Sequence, residues 1–249
     1  MIGTPPKRTK TVVVSRVKSY LQAMPPEFDD YESDYQGLVD RSIGFAGRDH
    51  SFYVAAKARH LLQLISAHVG DPSDQRVLDV GCGPGIAHPY LGPIGQLEGV
   101  DVSESMIERA RHENSNVVYH VGDAVALPFE DQTFDVAFAI TVLHHVEPRQ
   151  WPSCVKELHR VLRPFGLGVV FEHNPFNPLT RLAVHRCEFD EDAVLLTRRQ
   201  TRRLLTARFH MVDGGYILVT PWDNALARKL DQAVKRLPFG AQYYVAGRA

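Results

Sequence analysis

Three aspartates stand where apolar runs end or turn. Asp79 sits inside Arg76-Val77-Leu78-Asp79-Val80, Asp101 closes Leu97-Glu98-Gly99-Val100-Asp101-Val102, and Asp123 follows Val117-Val118-Tyr119-His120-Val121. An acidic side chain at the end of a strand can accept hydrogen bonds from both hydroxyls of a ribose. Such charge-assisted bonds are worth about 1.5–3 kcal/mol each. Asp101 lies twenty residues beyond Gly81, the spacing at which a ribose-binding acid is expected, with an N-terminal helix charge as the alternative role. A second set of reactive side chains lies further on, in Thr141-Val142-Leu143-His144-His145-Val146 and in Glu172-His173. One histidine of the 144–145 pair should face a pocket. An imidazole with an ordinary pKa near 6.5 can accept a proton, orient a bound molecule or cap a helix.

The glycines decide what the acidic positions serve. Gly81-Cys82-Gly83-Pro84-Gly85 ends an apolar, partly β-branched strand, and glycine without a Cβ lets a ligand lie against the backbone. A dinucleotide fingerprint needs G-x-G-x-x-G, but position 86 is Ile and the third glycine is Gly85. A nicotinamide-dependent oxidoreductase is therefore disfavoured. The stretch from Val77 to Gly85 resembles motif I of the class I S-adenosylmethionine-dependent methyltransferases. Gly122-Asp123-Ala124-Val125-Ala126-Leu127-Pro128-Phe129 resembles that family's G-D-A-x-x-L-P-F segment, and Leu143-His144-His145-Val146 resembles the L-H-H-V segment of its ubiquinone-biosynthesis-like small-molecule members.

The resemblance implies S-adenosyl-L-methionine as cofactor and a doubly wound, Rossmann-like α/β sheet of seven strands. Their order would be 3-2-1-4-5-7-6, with the last strand antiparallel. It implies cofactor contacts at Asp79, Gly81, Cys82, Gly83, Gly85, Asp101 and Val102. Asp123 and the Ala124 N–H would meet the adenine, and Ile140 and Thr141 would line the methionine portion. Met106 either touches the adenine or packs in the core. Methyl transfer would be an in-line attack by an acceptor on the sulfonium methyl, with His173, His145 and Glu172 the candidate catalytic groups. No metal-ligand spacing stands out, so no metal is expected. A sugar-related, quinone-like or phenolic acceptor fits the pattern. A non-catalytic cofactor-binding scaffold would carry the same motifs, because they report binding and not turnover.

The elements that must position these groups follow from periodicity. Apolar residues at helical spacing from Phe52 to Val69 predict a helix before strand 1. Ser103 predicts an N-cap for a helix over Glu104–His112. Phe134–Ile140 is nearly all apolar, as a central parallel strand should be. Helices are expected over 86–91, 148–162, 198–208 and 223–237, with strands over 167–171, 211–219 and 241–246. Residues 163–166 read as a turn resting on Gly166.

With 249 residues, 44% hydrophobic composition and a formal net charge of -1, the chain suits one domain with a good-sized core. Residues 1–26 read as a flexible basic tail and 27–249 as the methyltransferase-like domain. Within it, 27–50 is a lid segment carrying Phe28, Tyr31 and Tyr35, and 174–196 and 222–238 are substrate-side insertions. Asn174, Asn177 and Arg181 are candidate acceptor contacts. The balance of charge points away from nucleic acid, and no apolar run is long enough for a membrane span. Three isolated cysteines suggest neither disulfides nor zinc, so a cytoplasmic setting and a small-molecule substrate are expected. The sequence is silent on oligomeric state.

Overall fold

The structure is a computed structural model that describes residues 37, 41–43, 49–220, 222 and 224–249. The basic tail and the aromatic lid residues Phe28, Tyr31 and Tyr35 lie outside the described residues.

Seven strands form one sheet: β1 (Arg76–Val80), β2 (Gln96–Asp101), β3 (Val118–Val121), β4 (Phe134–Ile140), β5 (Leu162–His173), β6 (His210–Ile217) and β7 (Gln242–Arg248). Their order is β3-β2-β1-β4-β5-β7-β6. The pairs from β3 through β5 are parallel, and β7 runs antiparallel to both β5 and β6. This is the expected topology. The central strands are apolar on both faces because both faces are covered. Helix α1 (His50–His68) places Ala58, Leu61, Leu64 and Ile65 against Val77, Val136, Phe138, Val169 and Phe171 on one face. On the other face α3 (Trp151–Arg160) and α5 (Arg198–Thr206) pack Val155, Leu158 and Leu205 against Leu78, Val80, Val170 and Val245. Truncating one of these buried aliphatic side chains to Ala costs about 2–5 kcal/mol.

The cofactor-side turns form where the sequence places them. Asp49 caps α1, and Ser103 caps α2 (Glu104–Glu113) by accepting from the Met106 N–H. Thr197 and Gln200 make a reciprocal capping box for α5. Four segments differ from expectation. The helix expected over 86–91 is a single 3₁₀ turn, His88–Leu91, as the prolines there allow no more. The helix expected from 148 starts at Trp151, because residues 143–145 first curl into a 3₁₀ turn. Trp151 clamps that turn by donating from Nε1 to the carbonyls of Leu143 and Val146, at 2.8 and 2.9 Å. Residues 163–166 are part of β5, and Phe165 itself, not Gly166, takes the left-handed conformation (φ 67°), with its N–H on the Ala249 carbonyl. The last helix, α6, runs Ala225–Val234 from an Asn224 cap.

Candidate active site

All three acidic strand ends open onto one cavity of about 960 Å³ above the carboxyl ends of β1, β2, β4 and β5. Asp79, Gly81, Cys82, Gly83, Asp101, Val102, Met106, Asp123, Ala124, Ile140 and Thr141 all line it. Gly81 and Gly83 both have φ in the left-handed range, +73° and +51°. A Cβ on Gly81 would lie 2.5 Å from Val142 Cγ2, whereas one on Gly83 would meet no protein atom within 4 Å. The loop is thus bare toward the cavity at Gly83. The Gly83 N–H donates to Asp101 Oδ2 at 2.8 Å, and the Ser103 N–H donates to Oδ1 at 3.0 Å. These two bonds aim the Asp101 carboxylate. Burial still pushes its pKa up, against both backbone donors. Asp79 is buried, with Oδ2 3.0 Å from His88 Nε2 and that ring in turn 2.5 Å from Tyr119 Oη. Its Oδ1 has no hydrogen-bond partner among the described residues. Cys82 is a packing element: burial, then the Asp79 charge, raises its thiol well above the ordinary range.

Gly85 does not line the cavity. Its missing Cβ makes room behind the loop, where Tyr119 Oη and Asn114 Nδ2 would lie within 2.9 Å of one. Thr141 is a β-branched residue at φ 56°, held by its N–H on the Phe171 carbonyl. Backbone in that region costs about 1–3 kcal/mol and is characteristic of functional sites.

The opposite wall is made of side chains. His145 and His173 line the cavity, and so do His144 and Asp190, which lie 46 positions apart in sequence. Glu172 does not reach the cavity. It is fully buried and spent on its neighbours: Oε1 accepts from the Val142 and Leu143 N–H groups, and Oε2 lies 2.6 Å from His144 Nδ1. It positions the histidine turn and touches no acceptor. His144 Nε2 is 3.5 Å from Asp190 Oδ1, and His145 Nε2 is 3.4 Å from the same oxygen. Burial alone would lower the His144 pKa, but the Glu172 and Asp190 carboxylates outweigh it and hold it at about 9. Burial would raise both carboxyls, and His144 more than offsets this, leaving each below its ordinary range. Burial, then the His144 charge, pushes His145 down to about 4 and His173 down to about 3. Although no metal-ligand spacing stands out in the sequence, donor atoms of His144, His173 and Asp190 all lie within 4.8 Å of one another.

Of the three candidate acceptor contacts, one borders the cavity. Asn174 is buried and donates to the Pro238 and Gly240 carbonyls at 3.0 and 2.7 Å, pinning the 238–240 loop. Asn177 borders the cavity but is the N-cap of α4 (Pro178–Arg186). Arg181 is exposed and away from the lining. Of the substrate-side insertions, 174–196 supplies cavity wall through Thr180, Val184 and residues 187–193, while none of the described residues of 222–238 lines it.

Lys57 escapes a motif search. It lies on the buried face of α1 between Val54 and Ala58, borders the cavity, and is 3% exposed. Burial pulls its pKa from 10.5 to about 8, against the charges of Glu172 and Asp79. No carboxylate among the described residues lies within ion-pair distance of it. The available signal was a lysine inside an apolar helical stripe.

Comparison with known proteins decides the reading of this site. Residues 78–170, from the glycine loop through β5, match the model of a methyltransferase domain. Over this segment the chain is similar to methyltransferases, and its sheet has the strand order expected of the class I fold. The 27-O-demethylrifamycin SV methyltransferase of Amycolatopsis mediterranei is 35% identical over 99 residues, 36% of this chain and 36% of that protein. The demethylmenaquinone methyltransferase of Staphylococcus aureus is 36% identical over 104 residues, 39% of this chain and 42% of that protein. The chain spans about half or less of the length of the curated relatives it matches. A crystal structure of a SAM-dependent methyltransferase from Thermotoga maritima, described as a possible histamine N-methyltransferase, has the same fold: TM-score 0.65 at 21% identity, over 90% of this chain and 99% of that one. The Thermotoga maritima protein is described as dependent on SAM, S-adenosylmethionine. The donor set fits it: a bare Gly83, an aimed carboxylate on Asp101, an orphaned Asp79 oxygen and a buried cation on Lys57 share one cavity.

Proposed function

We propose that this protein transfers the methyl group of S-adenosylmethionine to a small organic acceptor, with an oxygen, nitrogen or carbon as the receiving atom. The observation that carries the reading is the two-walled cavity: backbone and carboxylates on one side, histidines on the other, in one continuous space of about 960 Å³. That volume is at the upper end for a ligand site and leaves room for more than one molecule.

When bound, the cofactor supplies a methyl carbon already activated by its positively charged sulfur. The chain's own task is then alignment and exclusion of water. Asp101 accepts from the ribose hydroxyls with a carboxylate pre-aimed by Gly83 and Ser103. Asp123 and the Ala124 N–H hold the adenine edge, and Val102 and Met106 pack beside it. Gly81 and Gly83 give the backbone approach. Ile140 and the strained Thr141 border the methionine end. There Lys57 pairs with the carboxylate and the free Asp79 oxygen with the ammonium. Holding donor and acceptor as a near-attack pair contributes about 7–11 kcal/mol.

His145 and His173 are neutral at physiological pH. With pKa values of about 4 and 3 they are weak bases, and they act chiefly by orienting the acceptor. Two matched relatives are named for demethylmenaquinone and a demethylrifamycin, which supports a small organic acceptor; quinone-like, phenolic and sugar-related molecules are the classes to try first. The test is calorimetric titration with S-adenosylmethionine, followed by a methyl-transfer assay across sugar nucleotides, quinone precursors and small phenols. Binding of the cofactor with transfer to one class is the expected result. Absence of cofactor binding at millimolar concentration overturns the proposal.

A further inference from the structure

His144, His173 and Asp190 come from three separate segments: the turn after β4, the end of β5, and the 3₁₀ turn Glu188–Asp190. Their donor atoms nevertheless converge within 4.8 Å on the cavity wall. The ring centroids of His144 lie 4.1 Å from His145 and 5.1 Å from His173. Three imidazoles and a carboxylate thus share one patch of the cavity wall.

The groups behind the rings point to what joins them. Histidine ligands of a metal almost always donate their other ring N–H to a carboxylate or carbonyl, which fixes the tautomer. His144 Nδ1 lies 2.6 Å from the buried Glu172 Oε2, itself anchored by the Val142 and Leu143 N–H groups, and this leaves Nε2 on the Asp190 side. His173 Nδ1 lies 3.4 Å from Gln242 Nε2, while Gln242 Oε1 is buried without a hydrogen-bond partner among the described residues. Amide O and N are interchangeable in such an assignment. Turning the Gln242 amide over gives its oxygen the His173 Nδ1–H and leaves Nε2 bare. Each ring then has the supporting partner a ligand needs.

We infer that His144, His173 and Asp190 form a binding site for one divalent ion of the zinc type, at the acceptor end of the cavity. Two imidazole nitrogens and one carboxylate oxygen suit a borderline ion and exclude a hard ion such as Mg²⁺ as the preferred occupant. Three protein ligands leave coordination positions open, as in catalytic and not structural zinc sites, and all three residues border the cavity. His145 Nε2, 3.4 Å from Asp190 Oδ1, is a neighbouring fourth donor. The inference stands apart from the methyl-transfer reading, since the site is defined by its ligands and not by turnover.

The experiment uses the full chain, treated with a chelator and dialysed. Zn²⁺ is titrated by calorimetry and Co²⁺ by visible absorption, with S-adenosylmethionine titrated into the same samples. Expected are one equivalent of Zn²⁺ at micromolar affinity or tighter, and Co²⁺ bands of a low-coordinate site. Asp190→Asn and His173→Gln should each weaken Zn²⁺ at least tenfold. Gln242→Leu should weaken it about tenfold, within the 10–100-fold range for supporting partners. Circular dichroism and retained cofactor binding show that each variant is folded. Wild-type protein that binds cofactor but no Zn²⁺ at 100-fold excess would overturn the inference, and so would Zn²⁺ affinity unchanged in both ligand variants. Failure of cofactor binding alone would instead sink the methyl-transfer reading.

Discussion

The two walls of the cavity are built by different means. The cofactor wall is drawn from successive strand ends between residues 79 and 141 and is mostly backbone: a glycine loop, three strand-end carboxylates and the N–H groups that aim them. The acceptor wall is assembled from three separate segments, and its groups are charged or heterocyclic side chains that hold one another in place. The first wall depends on shape and tolerates few atoms, because Gly83 must stay bare and Gly81 abuts Val142. The second depends on charge balance, because in the metal-free protein a proton on buried His144 is stabilised by Glu172 and Asp190. Binding and selectivity are therefore separable in this fold, and mutations should show it.

The largest effect is expected at Glu172. Glu172→Gln keeps the shape but leaves the His144 charge buried with one partner fewer, a change that costs about 3–5 kcal/mol. Thermal unfolding should drop accordingly. Cofactor affinity of the folded fraction should stay within about threefold, and a larger loss would mean that the walls are not separable.

Gly83→Ala makes the converse test. Its Cβ meets no protein atom, so the left-handed backbone is the sole penalty on folding, about 1–2 kcal/mol. A cofactor lying against the loop would clash with the new methyl group. Affinity should fall by more than tenfold, beyond what the stability loss explains. Equal, small effects on both would remove the cofactor from that surface.

Lys57 belongs to neither wall by sequence and has a smaller, pH-dependent signature. Its folded pKa of about 8 lies below the ordinary lysine value of 10.5. At pH 7 both the folded and unfolded chains hold the proton, so the full burial penalty applies. Between about pH 8 and 10.5 the unfolded chain binds more protons, and stability rises with pH. Lys57→Met should therefore stabilise the cofactor-free protein at pH 7 by about 1–3 kcal/mol. The gain should shrink toward pH 10.5, and cofactor affinity should fall about tenfold. Differential scanning fluorimetry across pH with calorimetry at pH 7 checks both. A stability gain that does not change with pH would remove the buried charge from the explanation.

The contrast between the walls also explains what was legible in the sequence. The strand positions, the Ser103 cap and the spacing of Asp79, Asp101 and Asp123 were readable because each is local: a period, a cap or a fixed distance from a glycine loop, whereas the strand order came from the family resemblance. Gly85 was misjudged because spacing cannot tell a glycine that faces a ligand from one that makes room for Tyr119. Glu172 was misjudged because adjacency to His173 hides the alternation of a strand, which sends neighbouring side chains to opposite faces. Asp190 and Lys57 carried no motif at all. They matter through tertiary convergence, and only the fold brings residue 190 to residue 144. Asn174 looked like a ligand contact because a polar loop residue can serve backbone carbonyls as readily as a substrate.

The central claim is that the pre-aimed Asp101 carboxylate grips the ribose of S-adenosylmethionine. Calorimetric titration of wild-type protein and Asp101→Asn with that cofactor tests it most directly. One saturable site is expected in the wild type and an affinity about 10–100-fold lower in the variant, in line with charge-assisted hydrogen bonds worth about 1.5–3 kcal/mol. Equal affinities in the two proteins, with both folded, would contradict it.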